Sequence, residues 1–127
     1  MTKLKRTTED YLKTIFLLSK QSGGVRSVRI AEYLGVSKPT VCVVLKRMTA
    51  NDFVYMDGDY EIHLTDTGKE LAEQITERHR TITELLSDLG VDKEIAARDA
   101  CEIEHGVSTQ TYEVLKKLAA SRKGAEA

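Results

Sequence analysis

The stretch Val28-Arg-Ile-Ala-Glu-Tyr-Leu-Gly-Val-Ser-Lys-Pro-Thr-Val-Cys-Val-Val-Leu-Lys-Arg-Met48 decides the fold. Ile30, Ala31 and Leu34 mark a short amphipathic helix by their spacing. Gly35 supplies a residue that tolerates positive φ, and Val36 is placed to plug the corner between two helices. Ser37 is a good N-cap, and Pro39 fits the first helical turn, where its missing N–H is no loss, so a second helix runs to about Ala50. Val41, Val44, Leu45 and Met48 follow the i, i+3, i+4, i+7 spacing of a packed stripe. Residue chemistry and periodicity together read as a helix-turn-helix.

The flanks extend this reading. Upstream, Thr7 or Thr8 is placed to cap a helix from about Thr8 to Gln21, with Tyr11, Leu12, Ile15, Phe16 and Leu18 at helical spacing and Gly23-Gly24 as its stop. Downstream, Phe53–Met56 and Tyr60–Leu64 are β-prone runs around Asp57-Gly58-Asp59, which predicts a hairpin. A hairpin directly after such a helix pair is a wing. From Thr65 the pattern turns helical again through Leu71, Ile75, Ile82, Leu85, Leu86 and Leu89 to Gly90. Asp92 is placed to cap a helix through about His105 that Gly106 closes, and Ser108 to cap a last helix carrying Tyr112, Leu115 and Leu118, with a frayed tail from Ser121. The expected fold is mainly α: a winged helix-turn-helix domain over 1–65, then a helical domain over 66–127.

A chain of 127 residues can form one or two small domains with a core that needs neither disulfide nor metal. The longest apolar runs, such as Val41 to Leu45, are far short of the ~20 residues of a membrane span. Met1-Thr2-Lys3-Leu4-Lys5-Arg6 is basic but has no apolar stretch behind it, so a cytoplasmic protein with Cys42 and Cys101 as reduced thiols is expected. The net charge of -1 hides a segregation of sign. Residues 1–50 hold ten Lys or Arg against three Asp or Glu, a balance of +7, and residues 51–127 hold nine against seventeen, a balance of -8. That asymmetry points to a polyanion-binding half joined to an acidic half with another task.

The packed stripe leaves Ser37, Lys38, Pro39, Thr40, Val43 and Arg47 for the major groove of duplex DNA and its edges. Lys38, Lys46 and Arg47, with Arg26, Ser27 and Arg29 upstream, suit phosphates, which fix position and do not read bases. The groove face lacks the Arg, Asn or Gln that make bidentate contacts to purine edges, and Pro39 and Val43 suit thymine methyls instead. The competing reading is a helical hairpin inside a larger bundle, against which stand the wing and the local positive charge.

In the acidic half, Cys101 stands three residues before Glu104 and four before His105, which places thiolate, carboxylate and imidazole on one helical face. This is a partial site for Fe(II), Mn(II), Co(II), Ni(II) or Zn(II). Cys101 reads equally as a small buried residue, and Glu104 as a solvated helix charge. His79 lies in line with Ile75 and Ile82 and reads on its own as a hydrogen-bonded core histidine. Asp10, three residues after Thr7, reads on spacing alone as support for a helix start.

Six stretches in order, Thr7-Thr-Glu-Asp-Tyr-Leu-Lys-Thr-Ile-Phe16, Arg29-Ile-Ala-Glu-Tyr-Leu34, Pro39-Thr-Val41, Leu64-Thr-Asp-Thr-Gly68, Arg78-His-Arg80 and Ala100-Cys-Glu-Ile-Glu-His105, resemble landmarks of the diphtheria-toxin repressor and manganese transport regulator family. The resemblance implies a homodimeric, metal-dependent repressor and a regulatory metal held by Asp10, Cys101, Glu104 and His105, with His79 as a further ligand. It implies Mn(II) or Fe(II), with Co(II), Ni(II) or Zn(II) as substitutes in vitro. Asp10 resembles the manganese-type members and Cys101 the iron-type members. Lys13 replaces a second carboxylate of the manganese type, and Thr83 and Ala97 fall where iron-type members keep ancillary ligands. The chain resembles a short form that stops before the SH3-like domain of longer members.

The implied function is repression of metal-uptake genes when metal is plentiful, the metal fixing the spacing of two recognition helices. Rival readings are a winged-helix regulator not gated by metal, with Cys101 structural or redox-sensing, an enzyme using Cys101 and His105, and a purely structural dimerisation module. Carboxylates beside Cys101 disfavour its thiolate and speak against the enzyme.

Overall fold

The computed structural model describes residues 5–126, with side chains through Arg122. The first four residues of the expected basic N-terminus lie outside the described residues. Two compact units divide the chain, Met1–Gln74 and Ile75–Ala127.

In the first unit, α1 (Arg6–Ser22), α2 (Ser27–Leu34) and α3 (Lys38–Ala50) precede a hairpin of β1 (Val54–Met56) and β2 (Ile62–Leu64), and α4 (Asp66–Asp88) begins. The core is built from the stripes that helical spacing dictates: Leu12 and Ile15 of α1, Ile30 of α2, Val41 and Met48 of α3, closed by Val54 and Ile62 of the hairpin, all buried. Gly35 adopts left-handed φ of 68°, and the Val36 N–H caps back onto the Ala31 carbonyl at 3.1 Å. Val36 does not plug the corner as expected. It is 38% exposed, with its backbone fixed in that helix-ending turn.

The start of α1 also differs from expectation. Lys5 is the N-cap, and Thr7 and Thr8 lie within the helix, so neither hydroxyl caps it. The first backbone bond runs from Glu9 N–H to the Lys5 carbonyl, and Glu9 supplies the negative charge favoured in a first turn. Asp10 therefore has no capping box to complete.

The strands pair antiparallel with Val54 opposite Leu64, Tyr55 opposite His63 and Met56 opposite Ile62. They are shorter than the β-prone runs because Tyr60 takes positive φ of 62° in the turn and is 73% exposed. Val25 adds an isolated bridge to Ile62, tying the end of α1 to the wing. Thr65 knots the exit: its hydroxyl donates to the Asp52 carbonyl at 2.6 Å and accepts from Gly68 N–H at 3.0 Å. Gly68 packs so closely on the Phe53 carbonyl that a Cβ there would overlap it, which explains why glycine closes the Leu64–Gly68 stretch.

The second unit holds the remainder of α4, α5 (Lys93–Gly106) and α6 (Thr109–Glu126). Ile82 and Leu85 meet the buried stripe expected of α4, with Ala96 and Ala100 of α5 and Tyr112 of α6 also buried. Arg78 clasps the start of α6 through the Val107 carbonyl and the Thr109 hydroxyl, and its guanidinium lies 4.9 Å from the Tyr112 ring centroid. Ser108 caps α6 as expected, accepting from Thr111 N–H. Asp92 sits at the N-cap of α5 but its side chain makes no capping bond, and Gly106 stays helical, leaving Val107 as the C-cap. The tail is helical beyond Ser121 and reaches Glu126 in place of the expected fraying, even though Gly124 is a weak helix former.

Candidate metal centre and DNA-binding face

On α3 the capping geometry is the one the sequence predicts. Ser37 Oγ accepts from Thr40 N–H at 3.2 Å and lies 2.7 Å from Thr40 Oγ1, so both hydroxyls are organised at the helix start. Ser37, Lys38, Pro39, Thr40, Val43 and Arg47 are all exposed, as are Arg26, Arg29 and Lys46, while Ser27 is half-buried. Val43 is 59% exposed, an apolar group outside the buried stripe of Val41, Val44, Leu45 and Met48. Cys42 is an exposed free thiol on the flank of the same helix.

The wing carries the opposite sign. Residues 51–68 contain five Asp or Glu and no Lys or Arg. Asp57 organises its turn: Oδ1 accepts from the N–H groups of Asp59 and Glu61, and Oδ2 accepts from His63 Nε2 at 2.6 Å. The His63 hydrogen bond first, and the backbone donors after it, hold the Asp57 carboxyl below the usual carboxylate range. His63 stacks on Tyr55 at 5.1 Å, and the Glu61 carboxylate fills the space a Cβ at Gly24 would need. The ligating atoms of Asp57, Glu61 and His63 all lie within 4.8 Å of one another. Sequence reasoning missed this cluster, whose only advance signal was the short Asp57-to-His63 spacing across the turn.

In the second unit, Cys101, Glu104 and His105 of α5 bring sulfur, oxygen and nitrogen within 4.8 Å of one another, as helical spacing predicts. The Glu104 side chain is fully buried, His105 nearly so, and Cys101 is half-buried. His79 of α4 reaches the set through Glu104, with Nδ1 2.9 Å from Oε2, and His105 Nε2 lies 3.5 Å from Oε1. His79 is thus a half-exposed partner of Glu104 and no core histidine. A buried carboxylate flanked by two imidazoles and a thiol is costly to assemble unless a cation shares it, and its mixed O, N and S donors suit a borderline divalent metal. The residues present therefore fit a metal. Asp10 belongs to the other compact unit, half-buried on α1, its backbone carbonyl accepting from Thr14 Oγ1 at 2.8 Å.

Residues 3–61 match the iron-dependent repressor N-terminal DNA-binding domain, and residues 65–123 match the iron-dependent repressor metal-binding and dimerisation domain. The chain is 41% identical over 105 residues to the transcriptional regulator MntR of Salmonella typhimurium, covering 83% of this chain and 67% of that one. The chain belongs to the iron-dependent repressor family. Within the family, it is 35% identical over 119 residues to the diphtheria toxin repressor of Corynebacterium diphtheriae, covering 93% of this chain and 53% of that one. The solved manganese regulator SloR superposes with a TM-score of 0.76 at 33% identity, over 93% of this chain and 54% of that chain. The chain thus spans about half to two thirds of the length of these relatives. They are transcriptional regulators by name, and among the described residues no helix is long and apolar enough to cross a membrane.

Proposed function

We propose that this iron-dependent repressor family member is a homodimeric, metal-gated transcriptional regulator that acts in the cytoplasm and represses metal-uptake genes when Mn(II) or Fe(II) is bound. It carries no enzymatic activity in this reading. The observation that carries it is the buried Glu104 carboxylate ringed by Cys101, His105 and His79, in a chain whose other unit exposes a capped, basic recognition helix.

Cys101, Glu104, His105 and His79 hold the metal, and Asp10 joins them from α1. The bound metal supplies the positive charge that offsets the buried carboxylate and a coordination link between the 1–65 and 66–127 domains. Lys38, Lys46, Arg47, Arg26 and Arg29 take phosphates, with Ser27, Ser37 and Thr40 as neutral donors, and Pro39 and Val43 meet thymine methyls. Couplings between such sites are typically ~1–3 kcal/mol, roughly 5- to 150-fold in affinity, so one or two well-placed metals suffice to gate DNA binding.

The test is a fluorescence anisotropy titration of duplex DNA from a metal-uptake promoter against the full chain with Mn(II), Fe(II) or chelator. Tighter binding with metal is expected. Equal affinity in all three would leave a winged-helix regulator not gated by metal.

A further inference from the structure

Two consecutive residues of α4 serve different parts of the second unit. His79 meets the buried Glu104 carboxylate at 2.9 Å, and Arg78, turned about 100° from it around the helix, reaches the corner between α5 and α6. Its Nη1 donates to the Val107 carbonyl at 3.4 Å and its Nη2 to the Thr109 hydroxyl at 3.2 Å. The guanidinium lies 4.9 Å from the ring centroid of Tyr112, which is buried, so a planar fork meets two acceptors from an aromatic platform. Val107 is the C-cap of α5, and its N–H donates to the Ile103 carbonyl at 3.1 Å. One peptide segment therefore joins Arg78, through its carbonyl, to the last turn of α5, through its N–H. That turn carries Glu104 and His105, and helix ends fray unless they are tied down.

We propose that Arg78 is a positioning residue for the metal centre: by clasping the α5–α6 corner it holds Glu104 and His105 at the spacing from His79 that a divalent metal needs. The inference rests on the metal-gated reading above, and it adds a residue that acts through the backbone of α5. The sign of the effect separates this role from simple charge. A cation beside the centre repels a bound metal, so losing the charge alone would tighten metal binding, whereas losing the clasp weakens it.

The test is calorimetric Mn(II) affinity of the full chain, with the Co(II) absorption spectrum and amide exchange at the start of α6 read alongside. Arg78→Met, which keeps an unbranched stem but loses the fork, should bind Mn(II) roughly tenfold more weakly, the lower end of losses for groups that orient ligands, and should shift the Co(II) bands. Arg78→Lys keeps the charge without the fork and should stay weak. Thr109→Val, a milder change, should lose less, and the double variant Arg78→Met/Thr109→Val should bind no worse than Arg78→Met alone. Lys116→Met breaks the 2.7 Å Glu77–Lys116 ion pair between α4 and α6 and should keep wild-type Mn(II) affinity. By linkage the metal must in turn tighten the corner, so Mn(II) should slow exchange of the Thr111 and Tyr112 amides, which bond to Ser108, in wild type and not in Arg78→Met. Wild-type or tighter Mn(II) affinity in Arg78→Met, full recovery by lysine, or an equal loss in Lys116→Met would overturn the inference and leave the metal-gated reading intact. A wild-type chain that binds neither Mn(II) nor Co(II) would overturn both.

Discussion

Among the described residues, two clusters hold histidine and carboxylate donors within the same 4.8 Å, one in the wing and one on α5, and they differ in what their atoms already do. In the wing, both oxygens of Asp57 are engaged, Oδ1 by two backbone N–H groups and Oδ2 by His63, and all three residues are half-exposed. The cluster is complete as a turn lock. On α5, a fully buried Glu104 is shared between two imidazoles beside a thiol, a combination that holding a turn or capping a helix does not need. Proximity of donor atoms is thus a poor guide to a metal site on its own; burial and competing hydrogen bonds separate the two.

The strongest way to break this contrast is Glu104→Gln beside His63→Gln. The first should weaken Mn(II) binding by more than the roughly 10- to 100-fold typical of a lost supporting group, since in the proposed function Glu104 is a ligand, and the second should leave calorimetric Mn(II) affinity unchanged. Equal losses would make the wing a metal site. Gly24→Ala should push the Glu61 carboxylate off its seat and cost about 1–3 kcal/mol in chemical denaturation, again without touching metal affinity. Cys101→Ser sharpens the α5 side: Co(II) should lose its thiolate charge-transfer band and bind roughly tenfold more weakly, with a smaller loss for Mn(II), which prefers oxygen. A Co(II) spectrum unaltered by that change would remove Cys101 from the ligand set.

Much of this contrast could be read in advance only where the chemistry is local. Gly35, Ser37 and Pro39 specify the turn and cap of α3 within five residues, and the Cys101, Glu104 and His105 face follows from helical geometry alone. What escaped the sequence depends on chain segments meeting. The Val25–Ile62 bridge, the Thr65–Asp52 knot and the His79–Glu104 pair join residues 13 to 37 positions apart, and no periodicity encodes them. The turn at Tyr60 escaped for a different reason: Asp57 and His63 fix the hairpin so firmly that a tyrosine is held at positive φ beside an available glycine.

The smallest predicted effect concerns pH. The folded pKa of Asp57 is lowered, so its contribution to wing stability is present above the ordinary carboxylate range and is lost as pH falls through the lowered folded value. Asp57→Asn should remove that acid limb from the pH dependence of wing amide exchange and leave the neutral-to-basic side nearly flat. An acid limb unchanged in the variant would assign it to other carboxylates.

The most direct test of the account is the ratio of DNA affinities with Mn(II) and with chelator, measured at one salt concentration for wild type and Glu104→Gln. The account predicts a ratio of at least about fivefold for wild type, within the usual range of such couplings, and a ratio of one for the variant. A wild-type ratio of one, or a variant that keeps the wild-type ratio, would contradict it.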